Sequence, residues 1–271
     1  MTLAPKDVPH SLVPARTRRL EFHVVSAMVP LALLAMWELG TRYNWLPRTL
    51  VSSPSAVAEA MLRLGRNGAL VHHSLVSLRR LSLGFGSGSL LAVLIGTFVG
   101  LSKAFDRVMA PTLSFLAPVP VSAWIPLIII LFGIGEVAKC SVIAVGAFFV
   151  VYFGTVSGIR STDPKLVEVA RVCGKTPTLL VTQVLLPSAL ASILQAMRGA
   201  LALGWVLLVI AEVIASTEGL GWLMWDARQY GRADEMIVGV AMAGALGATT
   251  DWIARRIQRR VLIWRPAFEG Q

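Results

Sequence analysis

The sequence has 271 residues, of which 55% are hydrophobic and only 15% are Asp, Glu, Lys or Arg, against about 25% charged in an ordinary soluble domain. With a mean hydropathy of +0.70, a water-facing surface would have to be covered with exposed apolar side chains, which argues against a soluble globular protein. The 25 basic and 15 acidic residues leave a formal charge of +10; in so apolar a chain that excess suits the cytoplasmic loops of a membrane protein better than nucleic acid.

Met1–Leu20, with Pro5, Pro9 and Pro14 and scattered charge, reads as a flexible cytoplasmic tail and not as a cleavable signal peptide. A helix needs roughly 20 apolar residues to cross the hydrocarbon core. Charge-free runs of that order, extended past charges that can snorkel from helix ends, predict six spans, at about 24–41, 81–102, 108–135, 138–159, 190–214 and 236–257. These form an all-α membrane domain over 21–257, followed by a cytoplasmic tail at 258–271. The long third run has room for a broken or re-entrant stretch at its prolines. Lys6, Arg16, Arg18 and Arg19, then Lys103 and Arg107, the 160–187 loop, and Arg255, Arg256, Arg259, Arg260 and Arg265 put both termini in the cytoplasm. The first external loop conflicts with this, being basic itself. Arg79 and Arg80 are read as headgroup neighbours, and Ser55–Leu64 as an amphipathic segment on the membrane surface. Cys140 and Cys173 lack metal-ligand or redox spacing and are expected to be free thiols.

The loop at 160–187 is punctuated as two short helices. Asp163 is a good N-cap and Pro164 suits the first helical position. Leu166, Val169, Ala170 and Cys173 recur at helical spacing, with Glu168, Arg171 and Lys175 on another face. Gly174 supplies a stop, Thr176-Pro177 repeats the cap signal, and Pro187 is expected to mark the turn into the next span. Periodicity fits either a helical hairpin shaped to dock into a partner's groove or a loop packed on its own bundle.

Glu168-Val169-Ala170-Arg171-Val172-Cys173-Gly174, followed by Leu186-Pro187, resembles the E-A-A-x-x-x-G…L-P signature of binding-protein-dependent ABC-importer permeases. Val169 stands where a second alanine is usual, and it too suits a buried helix face. Ala117-Pro118-Val119-Pro120-Val121-Ser122-Ala123-Trp124-Ile125-Pro126-Leu127, Phe132-Gly133-Ile134-Gly135-Glu136, Ala202-Leu203-Gly204-Trp205, Ala211-Glu212, Gly219-Leu220-Gly221 and Trp264-Arg265-Pro266 are similar to the taurine, alkanesulfonate and nitrate permeases of that group. The resemblance spans roughly residues 37–266.

What the resemblance implies is a type I importer permease fold in the bacterial inner membrane. The chain would work as a homodimer in the bilayer, with a cytosolic ATPase dimer that binds ATP and Mg and an external binding protein that delivers a small anionic solute. Glu168, Val169, Ala170, Arg171, Gly174 and Pro187 would then be the coupling residues. Glu168 would tie the loop through its carboxylate, and Gly174 would permit the tight turn. The bland reading of Glu168 is a solvated partner of Arg171, worth a few tenths of a kcal/mol.

Within the spans, Pro118, Pro120 and Pro126 free backbone carbonyls that lipid cannot satisfy, so they should face protein or a water-filled path. Trp124 and Trp205 are candidates to line that path, with simple helix packing as the alternative. Glu212 is a costly intramembrane charge and so a candidate gate or ion-pair residue. Arg198 is read as snorkelling, with presentation of its charge to an anionic solute as the alternative. Gly84, Gly86 and Gly88, with Gly96 and Gly100, are read as close-packing positions. His72 and His73 lack metal partners and are given an interfacial role, and Trp222 and Trp225 are taken as interface aromatics. Gly174-Lys175-Thr176 fails the phosphate-loop pattern because Val169 occupies the place of its first glycine. No catalytic constellation recurs, so no enzyme, cofactor or nucleic-acid partner is expected of this chain. The alternative function is a secondary transporter or channel working without ATP, which predicts a midplane ionisable residue and two similar halves.

Overall fold

A computed structural model describes residues 15–43, 45 and 51–264, with side chains described from Met28 onward. All regular elements among them are helical: α1 (Ala15–Arg42), α2 (Pro54–Arg66), α3 (Ala69–Leu101), α4 (Lys103–Leu116), a 3-10 turn (Val121–Trp124), α5 (Ile125–Phe132), α6 (Glu136–Arg160), α7 (Pro164–Val172), α8 (Pro177–Leu180), a π turn (Val181–Leu185), α9 (Leu186–Ala215), α10 (Leu220–Gln229) and α11 (Ala233–Val261).

Four of these are long and apolar enough to cross a membrane: α3, α6, the continuous run Pro177–Ala215 and α11. Residues 103–132 supply a fifth if counted as one span, but it is bent by 93° between α4 and the segment that begins at Val121. The expected run at 108–135 is therefore not a straight helix. Pro118 and Pro120 cannot donate to the preceding turn, and the backbone at Pro120 is extended (φ −54°, ψ 131°) before the 3-10 turn restarts the helix. The expected span at 24–41 falls in α1, which is not among the four; part of it lies outside the residues whose side chains are described. Helix α1 starts at Ala15, inside the segment read as a tail, while residues 1–14 and 265–271 lie outside the described residues.

Helices α3, α6 and α9 form the centre of the bundle. Small residues set their separation. A Cβ on Gly84 would lie 2.6 Å from the Cys140 carbonyl oxygen, and one on Gly88 would overlap the Ala144 carbonyl. Gly96 and Gly100 meet the side chains of Thr155 and Ile159, so one stripe of α3 lies close against α6. Gly154 and Gly158 let α6 approach Ala196 and Ser192 of α9 equally closely. The core cluster of Leu81, Ile143, Trp205, Leu208, Leu220, Leu223 and Val238 joins α3, α6, α9, α10 and α11.

Helix α2 is amphipathic, as its sequence indicates, and starts at the Ser53 N-cap, whose hydroxyl accepts from the Ala56 N–H at 3.3 Å. It is also tied to its own chain. Ala60 and Leu64 are buried, and Arg63 bridges Asp234 at 3.2 Å and Glu235 at 2.9 Å at the start of α11.

Candidate functional site

At one end of the bundle, three buried charged side chains and one half-exposed carboxylate come together. Glu212, near the end of α9, is 0% exposed, and both its carboxylate oxygens are hydrogen-bonded. Its Oε1 accepts from Arg80 Nη1 at 2.9 Å and Ser77 Oγ at 2.8 Å; its Oε2 accepts from the Gly221 N–H at 2.8 Å. Arg80, 3% exposed in α3, also grips Glu136 of α6 as a fork, with Nε to Oε2 at 2.8 Å and Nη2 to Oε1 at 2.6 Å. Its Nη1 additionally donates to the Glu218 carbonyl at 2.6 Å. Lys139 Nζ reaches Glu136 Oε1 at 2.9 Å. Two cations and two carboxylates thus cancel. A buried charge with complete pairing is tolerated where a lone one is not.

This network also fastens the turn at 216–221. Ser77 Oγ accepts from the Leu220 N–H at 2.9 Å, and His73 Nδ1 from the Gly219 N–H at 3.1 Å. Gly219 has φ +111°, and a Cβ there would overlap the Glu212 carboxylate. Glycine is needed on both counts. The reading of Glu212 as one half of an ion pair identifies its surroundings, whereas placing Arg80 beside lipid headgroups is corrected. A helix that begins at Ala69 carries Arg80 inward, and Glu212 and Glu136 remove the cost of its charge. Arg198 has a partner the sequence did not reveal: its Nε bonds Asp251 of α11 at 3.1 Å. His73 lies tilted against Trp222, with ring centroids 5.3 Å apart, and no metal cluster is found among the described residues.

The opposite end carries the 160–187 loop. Arg160 pairs with Asp106 at 2.7 Å, closing the end of α6 onto α4. Helix α7 starts as its sequence dictates, with the Asp163 carboxylate accepting from the Lys165 N–H at 2.9 Å and Pro164 in the first turn. It stops in a complete Schellman motif. The Lys175 N–H donates to the Ala170 carbonyl at 3.1 Å and the Gly174 N–H to the Arg171 carbonyl at 2.9 Å, with Gly174 at φ +70°. Lys175 Nζ then bonds Gln183 Oε1 at 2.7 Å, tying the turn to the next segment.

Beyond Thr176, which caps Pro177–Leu180 through a 3.4 Å bond from the Leu179 N–H, the chain differs from expectation. Pro187 marks no turn. Pro177–Ala215 is one continuous helical run, in which the Leu186 N–H bonds the Val181 carbonyl across the π turn. Widening the helix by one residue lets it pass a proline that has no N–H to give and whose ring would strike the carbonyl one turn back.

The residues expected to couple are mostly exposed in the single chain. Ala170 is 7% exposed, while Val169 is 61% and Val172 88% exposed. Glu168, Arg171, Cys173 and Gly174 are exposed too. Glu168 and Arg171 form no ion pair among the described residues. The apolar face of α7, with Leu166 and Val169, is therefore not packed on its own bundle.

The candidate path residues do not converge. Trp205 is buried, its Nε1 donating to Thr250 Oγ1 at 3.0 Å, and it lines an apolar cavity of about 540 Å³ between α9 and α11. Trp124 is half-buried and lines a separate cavity of about 300 Å³ with Leu116, Phe148 and Phe149. Pro118, Pro120 and Pro126 are exposed on the single chain. Sequence reasoning missed Ser77, Arg80 and Glu136 as one unit with Glu212.

The fold is an all-helical one with several helices long and apolar enough to cross a membrane. Residues 88–263 match the family of the binding-protein-dependent transport system inner membrane component, and the chain belongs to that family. It is 36% identical over 90% of its length, and 88% of the relative's, to the putative aliphatic sulfonates transport permease protein SsuC of Bacillus subtilis. It is also 29% identical to the taurine transport system permease protein TauC of Escherichia coli over 86% of each chain. Against the bicarbonate transport system permease protein CmpB of Synechococcus elongatus the identity is 29% over 74% of this chain and 72% of the relative. The fold matches a chain of the inward-facing MetNI methionine ABC transporter with a TM-score of 0.61 at 20% identity, covering 69% of this chain and 93% of that one. These relatives are transport permeases, in keeping with a non-enzymatic membrane subunit.

Proposed function

We propose that the chain is the membrane permease of an ATP-driven importer for a small organic or inorganic oxyanion, with aliphatic sulfonates and taurine first among the solutes. Two copies would form the translocation path, a cytosolic ATPase dimer would bind ATP and Mg, and an external binding protein would bring the solute. The inner bacterial membrane with both termini cytoplasmic is the setting. The single observation that carries this reading is the α7 hairpin: a capped helix with its apolar side chains outward, anchored at both ends to helices of the bundle. Such an element transmits force between subunits without bending, because its caps fix both ends and one glycine makes the turn. Glu168 and Arg171 give it a charged edge for registration with the ATPase, and Pro187 with the π turn joins it without a hinge to α9. ATP-driven closure of the ATPase dimer would draw the two hairpins together and switch the path between outward and inward opening. Relatives that carry aliphatic sulfonates, taurine and bicarbonate by name support an anionic solute, and nitrate is a further candidate.

The experiment is to copurify the chain with candidate ATPase and binding proteins, reconstitute them, and measure which solute and binding protein stimulate ATP hydrolysis. Stimulation by a sulfonate with its binding protein, lost in Glu168→Ala with membrane insertion intact, is the expected result. Gradient-driven solute uptake by the chain alone in ATP-free proteoliposomes would instead favour a secondary transporter.

A further inference from the structure

The last turns of α11 concentrate positive charge without matching acids. Trp252, Arg255, Arg256, Arg259, Arg260 and Ile263 line a concave site of about 500 Å³. Arg255 is paired with Asp251 at 3.1 Å, and Arg256 lies over the Trp252 ring at 5.7 Å. Arg256, Arg259 and Arg260 have no acidic partner among the described residues, and all three are exposed. The Arg198–Asp251 bond places this patch at the same end of the bundle as the α7 hairpin. Helix α11 is also the least covered of the four long apolar helices, with 11% of its apolar window buried against 33% or more in the others.

The geometry points to a binding site for the phosphate of an anionic phospholipid in the leaflet on the α7 side. Charge complementarity supplies the first argument: unpaired guanidiniums grouped on one helical face suit a phosphate oxygen cluster, which they bind bidentately. The second is the apolar setting. Trp252, Ile253 and Ile257 are exposed on the turns just before and between the arginines, and an indole at this depth is a headgroup-level anchor. A free phosphate has no use for such neighbours, whereas a lipid brings acyl chains to cover them. The inference rests on α11 meeting the bilayer and is independent of the solute carried.

The test uses the full-length protein in mild detergent, mixed with phosphatidylglycerol and phosphatidylcholine, and counts retained lipids by native mass spectrometry. The wild type should prefer phosphatidylglycerol, and raising salt from about 0.05 M to about 0.5 M should erase most of the preference. An unchanged preference in high salt, or none at all, overturns the proposal without any variant. Since a basic residue near an anionic surface contributes about fivefold, or about 1 kcal/mol, the Arg259→Gln/Arg260→Gln double variant should lose about 25-fold. The corresponding lysine variants should keep most of the preference. Wild-type preference in the glutamine variant would overturn the inference. So would displacement of the lipid by glycerol phosphate, which would make this a soluble-phosphate site, or a loss confined to ATPase binding, which would make it a protein-docking face.

Discussion

The two ends of the bundle handle charge in opposite ways. At one, Arg80, Lys139 and Glu212 are drawn inward, the half-exposed Glu136 closes the network at its rim, and both oxygens of Glu212 are filled by its own chain. At the other, α7 buries Ala170 alone and turns Val169, Val172, Glu168 and Arg171 outward. An interior that satisfies itself is a fixed joint, since any displacement of α3, α6 or α9 there separates buried charges. A surface that leaves apolar and charged groups exposed together is incomplete alone. The molecule reads as a lever with one end locked and the other free to be gripped.

The largest effect should come from breaking the locked end. Arg80→Ala leaves the Glu212 carboxylate buried without its cation and should cost about 3–5 kcal/mol, read as a large drop in thermal unfolding temperature in detergent. Replacing both partners together, Arg80→Met with Glu212→Leu, should be milder than either single change, because no charge is left uncompensated. A double variant worse than the sum of the singles would show that the pair does more than neutralise itself. Next comes Gly219→Ala, at about 2–3 kcal/mol by the same measurement, because a positive φ and an overlap with Glu212 act together.

Gly174→Ala makes the contrast explicit. It too has a positive φ, but nothing lies within 4 Å of a Cβ built there, so the cost is the backbone alone, about 1 kcal/mol, with Gly174→Asn smaller. The least effect on stability is expected from Glu168→Ala, within about 0.5 kcal/mol as for an exposed side chain, while stimulated ATP hydrolysis should fall sharply. A Glu168 variant as damaging to unfolding temperature as Arg80→Ala would erase the distinction between the two ends.

Much of the free end was legible from the residues. Asp163-Pro164, Thr176-Pro177 and Gly174 are local signals, each acting through backbone hydrogen bonds within a few residues, and each appears in the structure in that role. The apolar runs likewise located the cores of α3, α6, α9 and α11. The locked end was not legible, because its logic is long-range. Arg80 and Glu212 meet across 132 positions of sequence, and a lone arginine before an apolar run reads as an interface residue until its partner is known. The pairing of Arg198 with Asp251, 53 positions apart, was hidden for the same reason. Pro187 misled differently: proline usually ends a helix, and only the π turn before it shows how this one continues. The prolines at 118 and 120 announced a break but not its 93° angle.

The most direct test of the account is the reactivity of Cys173, exposed at the end of α7, against that of Cys140, half-buried in α6. A membrane-impermeant maleimide should label Cys173 in inverted vesicles and not in right-side-out ones, and adding the cognate ATPase should slow that labelling severalfold while leaving Cys140 unaffected. Labelling of Cys173 from the outer face, or a rate indifferent to the ATPase, would contradict the claim that α7 is the surface a cytosolic motor holds.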